Sequence, residues 1–360
     1  MSNLTTQNNL SRNTFDTDAL FPIDQFKQLF DEELLNITLP ISQGGEGMGV
    51  NGGHNELLTA LKSVGKRDLS TGRIYEGHLN ALLLIAKYGT DAQKVKYYRE
   101  ATEGMLFGVW NTERNFEKLT LKRNGDDYSL IGAKTFCSGG RYIQRPLVTA
   151  GLEGCSQMFI LELDQYQDLE EDFSLWKPMG MKESASCRFD FTGRKVSRSQ
   201  FLGEPDEYLK EPEFSGGAIR FAAVQMGGAE RIADITLEHL RKTKRTDNPY
   251  QQHRLGRISI LITSGRNWLE KAAEVADQSD LLDAEVIVNH AHMVRTAIQE
   301  ICEEVIKIAQ KAIGVQGMME DHPLEKELRD LTVYLKQPGP DLTLANIGKY
   351  MASKTSFDEL

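Results

Sequence analysis

Cysteine is scarce: Cys137, Cys155, Cys187 and Cys302 are scattered through 360 residues, with no CxxC pair and no histidines spaced to join them on a metal. That excludes a disulfide framework and a cysteine-ligated zinc module, and it suits reduced thiols in a cytoplasmic protein. No apolar run is long enough to span a bilayer, and the opening MSNLTTQNNLSRNTFDTD lacks the apolar core of a secretion signal, so no membrane partner is expected. The closing FDEL resembles a retention tetrapeptide, which has no meaning without such a signal. A basic excess is missing too: the formal charge of -10 opposes duplex nucleic acid as a partner. There is no HExxH motif and no GxSxG elbow, and His290 and His292, two apart on a helix, diverge rather than converge on a metal. No metal is expected.

What is present is ordinary globular material, 40% apolar and 26% charged, in enough length for several packed units. A polar tail over 1–17 precedes a helical domain over 18–105. There Leu57, Leu58, Leu61 and Val64, then Leu79, Leu82, Leu83 and Ile85, recur at helical spacing. The period changes near Leu106: YSLIG, RPLVTAG, SQMFILELD and CRFDF, separated by turn signals, mark a small β domain over 106–205. Helical spacing returns for 206–360. Ile287, Ala291, Val294, Ile298, Ile301, Val305, Ile308 and Ala312 form the most regular seam, predicting a bundle of four or more long helices. The fold class is therefore α+β: N-terminal helices, a middle β domain and a C-terminal four-helix bundle. The seam suits a homodimer or homotetramer and equally an intramolecular core. Gly47, Gly49 and Gly52 satisfy GxGxxG, but NITLPIS before them is a poor strand and helix follows, so they read as a loop.

The densest chemistry lies between Leu106 and Gly140. Trp110, Asn111, Thr112, Phe136 and Ser138 combine flat rings with small hydrogen-bonding groups, the mixture that holds a flat heteroaromatic cofactor and reads its polar edge. His78, alone in YEGHLNALLLI, reads on its own as a structural or surface-facing histidine.

This order of domains, with several motifs, resembles the acyl-CoA dehydrogenase superfamily over residues 20 to 350. Asn111-Thr112-Glu113 and Gly132-Ala133-Lys134-Thr135-Phe136-Cys137-Ser138 are similar to the two segments that line the flavin ring in that family. WKPMGMKESASCRFDF resembles its MGxRxS stretch, Gly314 and Gly317 its glycine turn beside a flavin held in a neighbouring subunit, and HPLEKELRD its RD helix. The resemblance implies that Asn111 and Thr112 meet the pyrimidine edge, that Phe136 lies against the ring and that Ser138 approaches N5. Arg241 or Arg245 would supply charge for the phosphates. FAD is the cofactor implied, with FMN the alternative.

Two departures bear on chemistry. Dehydrogenation in this family needs a carboxylate to take the α-proton; its usual place holds Pro338, and at the alternative place Ile219 precedes Arg220. His78, Asn111 and the FCSG run ending in Ser138-Gly139 resemble instead the branch similar to dibenzothiophene monooxygenase, which implies a role for His78 at the N5 edge. The expectation is a flavin oxidoreductase of this fold that is not an ordinary fatty acyl-CoA dehydrogenase. Its substrate is a small molecule, either an acyl-CoA or a compact organic compound. The alternatives are a reduced-flavin monooxygenase and a non-catalytic flavin-binding or oligomeric scaffold.

Overall fold

A computed structural model describes residues 20–125 and 127–357; the polar tail over 1–17 and the last three residues of FDEL lie outside them. The chain opens with helices α1 (Ile23–Asp31), α2 (His54–Arg67), α3 (Leu69–Tyr88) and α4 (Asp91–Thr102). Their limits follow from capping chemistry. Asp68 accepts the Thr71 amide and starts α3, and Thr90 with Gln93 closes a capping box at α4. Gly47, Gly49 and Gly52 lie in the loop before α2 with positive φ and no flanking strand.

The middle of the chain supplies β1 (Phe107–Trp110), β2 (Thr120–Asn124), β3 (Asp127–Ile131), β4 (Ala133–Cys137), β5 (Arg145–Leu152), β6 (Cys155–Ile160), β7 (Cys187–Asp190), β8 (Lys195–Ser197) and β9 (Phe201–Leu202). Seven of these form one sheet in the order β8-β3-β2-β5-β6-β9, with β1 also on β5; β4 and β7 pair separately. β1 lies parallel to β5, Phe107 opposite Arg145 through Trp110 opposite Val148.

After the short α5 (Glu213–Gly216) come α6 (Ala218–Lys242), α7 (Pro249–Asp277), α8 (Ala284–Ile313), α9 (Pro323–Tyr334) and α10 (Pro340–Ala352). Every member of the Ile287 to Ala312 seam is buried inside the single chain, where α8 packs on α6 and α7. The seam is thus used up as bundle core, and the expectation of a homo-oligomer draws nothing from it.

One ionic hub joins the three parts. Lys326 of α9 donates to Asp68 at 2.8 Å and to Asp330 at 2.7 Å, while Asp330 accepts the Met181 amide at 2.6 Å. It ties the start of α3 and the loop before β7 to α9. Beside it, a Cβ on Gly180 would lie 2.3 Å from the Arg329 carbonyl, so glycine there permits the β domain to seat on the bundle. Among the described residues no helix is long and apolar enough to cross a membrane.

Candidate active site

The site is built on an irregularity in β4. Its pairing with β7 shifts register between Lys134 and Cys137, and Phe136 takes a φ of 54°. A left-handed conformation is unfavourable for an aromatic residue, by about 1–3 kcal/mol, and bulges of this kind re-aim side chains next to functional sites. Here the consequence is direct. Ala133, Lys134, Thr135 and Cys137 are buried, whereas Phe136 keeps 52% of its surface exposed, its ring edge-on to Trp176 at 6.1 Å.

The neighbouring segment is held to β4 by a buried lysine. Lys134 Nζ donates to the Asn111 carbonyl at 2.9 Å, to Glu113 Oε2 at 2.6 Å and to Thr149 Oγ1 at 3.2 Å. Thr149 Oγ1 donates to Asn111 Oδ1 at 2.5 Å, and the Thr135 amide to the Thr112 carbonyl at 2.9 Å. Burial pushes the Lys134 pKa down while the Glu113 carboxylate pulls it back up. The result fixes Asn111 with its side-chain NH2 still to be used and leaves Thr112 exposed.

At the far end of β4, Ser138 Oγ lies 2.9 Å from Ser186 Oγ, which lies 2.9 Å from Ser184 Oγ; Ser184 donates onward to the Met181 carbonyl at 2.9 Å. Gly139 turns the chain there with a φ of 86°, and its amide donates to the Ser184 carbonyl at 2.8 Å. Trp110 is packed rather than presented. It stacks on Phe189 at 5.2 Å, donates Nε1 to the Ser138 carbonyl at 3.2 Å, and is 2% exposed. Its edge, with Ser138, Gly108, Ile143, Arg73 and Gly77, lines a cleft between α3 and β1.

His78 does not reach that cleft. It is 0% exposed, its Nε2 meets the Leu35 carbonyl at 2.8 Å, and its Nδ1 accepts the Phe107 amide at 3.0 Å. Gly77 lines the cleft, and one residue further, about 100° around the helix, the side chain points into the core. Both ring nitrogens are taken by backbone, so the expected role at an N5 edge is corrected: His78 locks α3 to β1. Burial lowers its pKa from 6.5 to about 4. Between those values the unfolded chain binds the proton and the native state does not, so stability falls as pH drops through this window, by about 3 kcal/mol in all. Denaturant unfolding from pH 7 to 4.5 is expected to show that loss, and His78→Asn to make the slope shallower.

The remaining expected residues gather elsewhere. Arg241 and Arg245 are exposed around the end of α6; His239 Nδ1 meets His322 Nε2 at 3.0 Å, and Gln251 donates to the Ala312 carbonyl at 3.2 Å. These contacts bring the ends of α6 and α8, the starts of α7 and α9, and the turn holding Gly314 and Gly317 to one end of the bundle. No hydrogen bond among the described residues joins this group to β4. Pro338 is exposed between α9 and α10, where its carbonyl accepts from Arg295, and Ile219 is buried and apolar. Neither place carries a carboxylate.

Reading the sequence missed the inner face of α3. Arg73 Nη1 donates to Glu76 Oε2 at 2.6 Å, Asn80 donates to Glu76, and Arg220 Nε donates to Asn80 Oδ1. The signal was available: Arg73, Glu76 and Asn80 stand at i, i+3 and i+7, a polar stripe in an otherwise apolar helix.

Profiles of the acyl-CoA dehydrogenase N-terminal domain and C-terminal domain match residues 6–105 and 208–349. The chain belongs to the acyl-CoA dehydrogenase superfamily. Within it, acryloyl-CoA reductase (NADH) of Anaerotignum propionicum is 25% identical over 88% of this chain and 83% of its own. Butyryl-CoA dehydrogenase of Megasphaera elsdenii has the same fold, with a TM-score of 0.80 at 20% identity over 94% and 92% of the two chains. So does FMN-bound TdsC of Paenibacillus sp. A11-2, a dibenzothiophene monooxygenase, with a TM-score of 0.83 at 17% identity over 92% and 91%. Dehydrogenase, reductase and monooxygenase thus share the superfamily's scaffold, and the reaction rests on the residues at the site.

Proposed function

We propose that this chain is a flavin-dependent oxidoreductase that exchanges two electrons at the flavin N5 and is not an ordinary fatty acyl-CoA dehydrogenase. The observation that carries this reading is the bulge in β4, which turns Phe136 outward between the exposed Thr112 and the Ser138 hydroxyl. These residues fit a flat heteroaromatic group: a bare ring for its face, the Asn111 amide and Thr112 hydroxyl for its polar edge, and Ser138 at one side. A bound flavin supplies the two-electron centre.

The protein's own contribution is binding and orientation. Lys134 and Thr149 hold Asn111, Trp110 backs the Ser138 carbonyl, and Ser184 with Ser186 fixes the Ser138 hydroxyl. Arg241 or Arg245, with the turn at Gly314 and Gly317, would receive phosphates. Because that group lies apart from β4, it would serve a flavin held by a second copy, in a homodimer or homotetramer with FAD. FMN, the cofactor of TdsC, is the alternative.

The lack of a carboxylate at Pro338 and Ile219 disfavours α-proton abstraction and supports the second reading, a reduced-flavin monooxygenase. Anaerobic addition of butyryl-CoA to the purified holoprotein decides between them. The flavin band is expected to persist; bleaching within seconds would sink the base-less reading. Rapid oxygen uptake after dithionite reduction would favour the monooxygenase. A colourless protein that takes up neither FAD nor FMN would leave the non-catalytic scaffold.

A further inference from the structure

Ser138, Ser186 and Ser184 form a hydroxyl chain whose proton order is set at its inner end. Ser184 and Ser186 are buried, so each of their hydroxyl hydrogens needs an acceptor within the protein. A serine hydroxyl has one hydrogen to give and two lone pairs to receive. Ser184 Oγ spends its hydrogen on the Met181 carbonyl at 2.9 Å. It can therefore only accept from Ser186 Oγ, 2.9 Å away; the other acceptor within reach of Ser186 is the Ser184 carbonyl at 3.4 Å. Either way the Ser186 hydrogen is turned inward. The 2.9 Å contact between Ser138 Oγ and Ser186 Oγ must then be donated by Ser138.

The inner end is held by backbone that is itself constrained. Met181 and Ala185 take left-handed conformations, with φ of 59° and 42°, which residues with a side chain keep only where the surrounding structure imposes them. The Met181 amide donates to Asp330 at 2.6 Å, and the Ser184 carbonyl accepts the Gly139 amide at 2.8 Å. The turn from Met181 to Ala185 is thus bound to α9 on one side and to the end of β4 on the other. The outer end of the chain is open. Ser138 is half-buried and lines the cleft between α3 and β1. Its amide donates to the Phe136 carbonyl at 2.9 Å and its carbonyl accepts Trp110 Nε1, so the lone pairs of Oγ are what it has left to offer.

We propose that Ser186 and Ser184 are positioning residues that make Ser138 a hydrogen-bond acceptor, so that the site selects reduced flavin, which carries a hydrogen on N5, over oxidised flavin, whose N5 is itself an acceptor. An N–H arriving at Ser138 finds a lone pair and disturbs nothing. An acceptor arriving there must reverse all three hydroxyls and gives up the bond from Ser184 to the Met181 carbonyl. The selection is therefore worth about one buried hydrogen bond, or about tenfold in relative affinity. This inference rests on the reading that places Ser138 at the N5 side of a bound flavin, and it names which form of the flavin that site takes.

The test titrates the full chain with FMN and with FAD, each in the oxidised form and, anaerobically, after dithionite reduction, and measures the midpoint potential of the bound flavin against reference dyes. The parent is expected to bind the reduced form about tenfold more tightly than the oxidised form. Ser186→Ala releases the Ser138 hydrogen toward the ligand and is expected to lower that ratio by about tenfold, a fall of about 30 mV in midpoint potential. Ser186→Thr, which restores a hydroxyl, should recover most of it. Ser184→Ala leaves Ser186 its carbonyl acceptor and should lower the ratio by only about threefold. In a Ser138→Ala background, Ser186→Ala should leave the ratio unchanged, an outcome that a general loosening of the site would not produce. Thermal melts check that each variant is folded; if Ser186→Ala is not, Ser184→Ala carries the test. A ratio untouched by Ser186→Ala, or shifted equally with and without Ser138, overturns the proposal while flavin uptake leaves the oxidoreductase reading standing. Uptake of neither flavin in either form sinks both.

Discussion

Gly227→Ala is expected to destabilise the protein by more than about 3 kcal/mol, while Gly256→Ala is expected to stabilise it by about 0.5–1 kcal/mol. Both glycines lie inside long bundle helices, α6 and α7. They differ in what a methyl group would meet. At Gly227 a Cβ would sit 2.1 Å from the Lys62 carbonyl oxygen and 2.6 Å from the Lys66 amide, both rigid backbone of α2. Gly65 on α2 faces back the same way, its own Cβ falling 2.4 Å from the Val224 carbonyl oxygen. The two helices therefore cross backbone to backbone through paired glycines, and an added carbon must force them apart along their whole contact. At Gly256 nothing lies within 4 Å, so alanine there simply restricts the unfolded chain and favours the helix. Urea unfolding of the two variants should move the midpoints in opposite directions. Because the α2–α6 contact joins the N-terminal helices to the bundle, Gly227→Ala should also lower the yield of soluble protein.

Lys134→Met is expected to reduce stability by about 2–4 kcal/mol and to weaken flavin binding by at least about tenfold. The ammonium satisfies three oxygens at once, those of Asn111, Glu113 and Thr149, in a position 1% exposed. Methionine matches the stem but offers no donor, so the Asn111 carbonyl and the Thr149 hydroxyl each lose a bond in a buried setting, and Glu113, 26% exposed, turns toward water. The segment that presents Asn111 and Thr112 would then lose its anchor to β4 while the sheet itself persists. Equilibrium dialysis against FAD and FMN, with unfolding followed by circular dichroism, separates the two effects. A variant that binds flavin as well as the parent would place the ring elsewhere than along β4.

How much was readable before the fold was known varied with the range of the interaction. Helix identities came through because their apolar stripes are local: the Ile287 to Ala312 seam is buried at every position, as period alone requires. The pairing of Asn111-Thr112 with Phe136-Ser138 was legible as a cluster of suitable residue types. The register shift that turns Phe136 outward was not, since a bulge depends on the partner strand. His78 went wrong for a related reason: its role is set by which side of α3 faces the Leu35 carbonyl and the Phe107 amide, contacts 43 and 29 residues away.

The sequence by itself determined the α+β order of helices, β domain and bundle, the superfamily, and the absence of a carboxylate at Pro338 and Ile219, because periodicity and residue type need no partner. Only the tertiary structure decided that the bundle seam is internal, that His78 is a lock between α3 and β1, and that Arg73, Glu76, Asn80 and Arg220 form one polar wall. Those outcomes depend on side chains from distant segments competing for the same buried space and the same backbone hydrogen bonds, which no local pattern encodes.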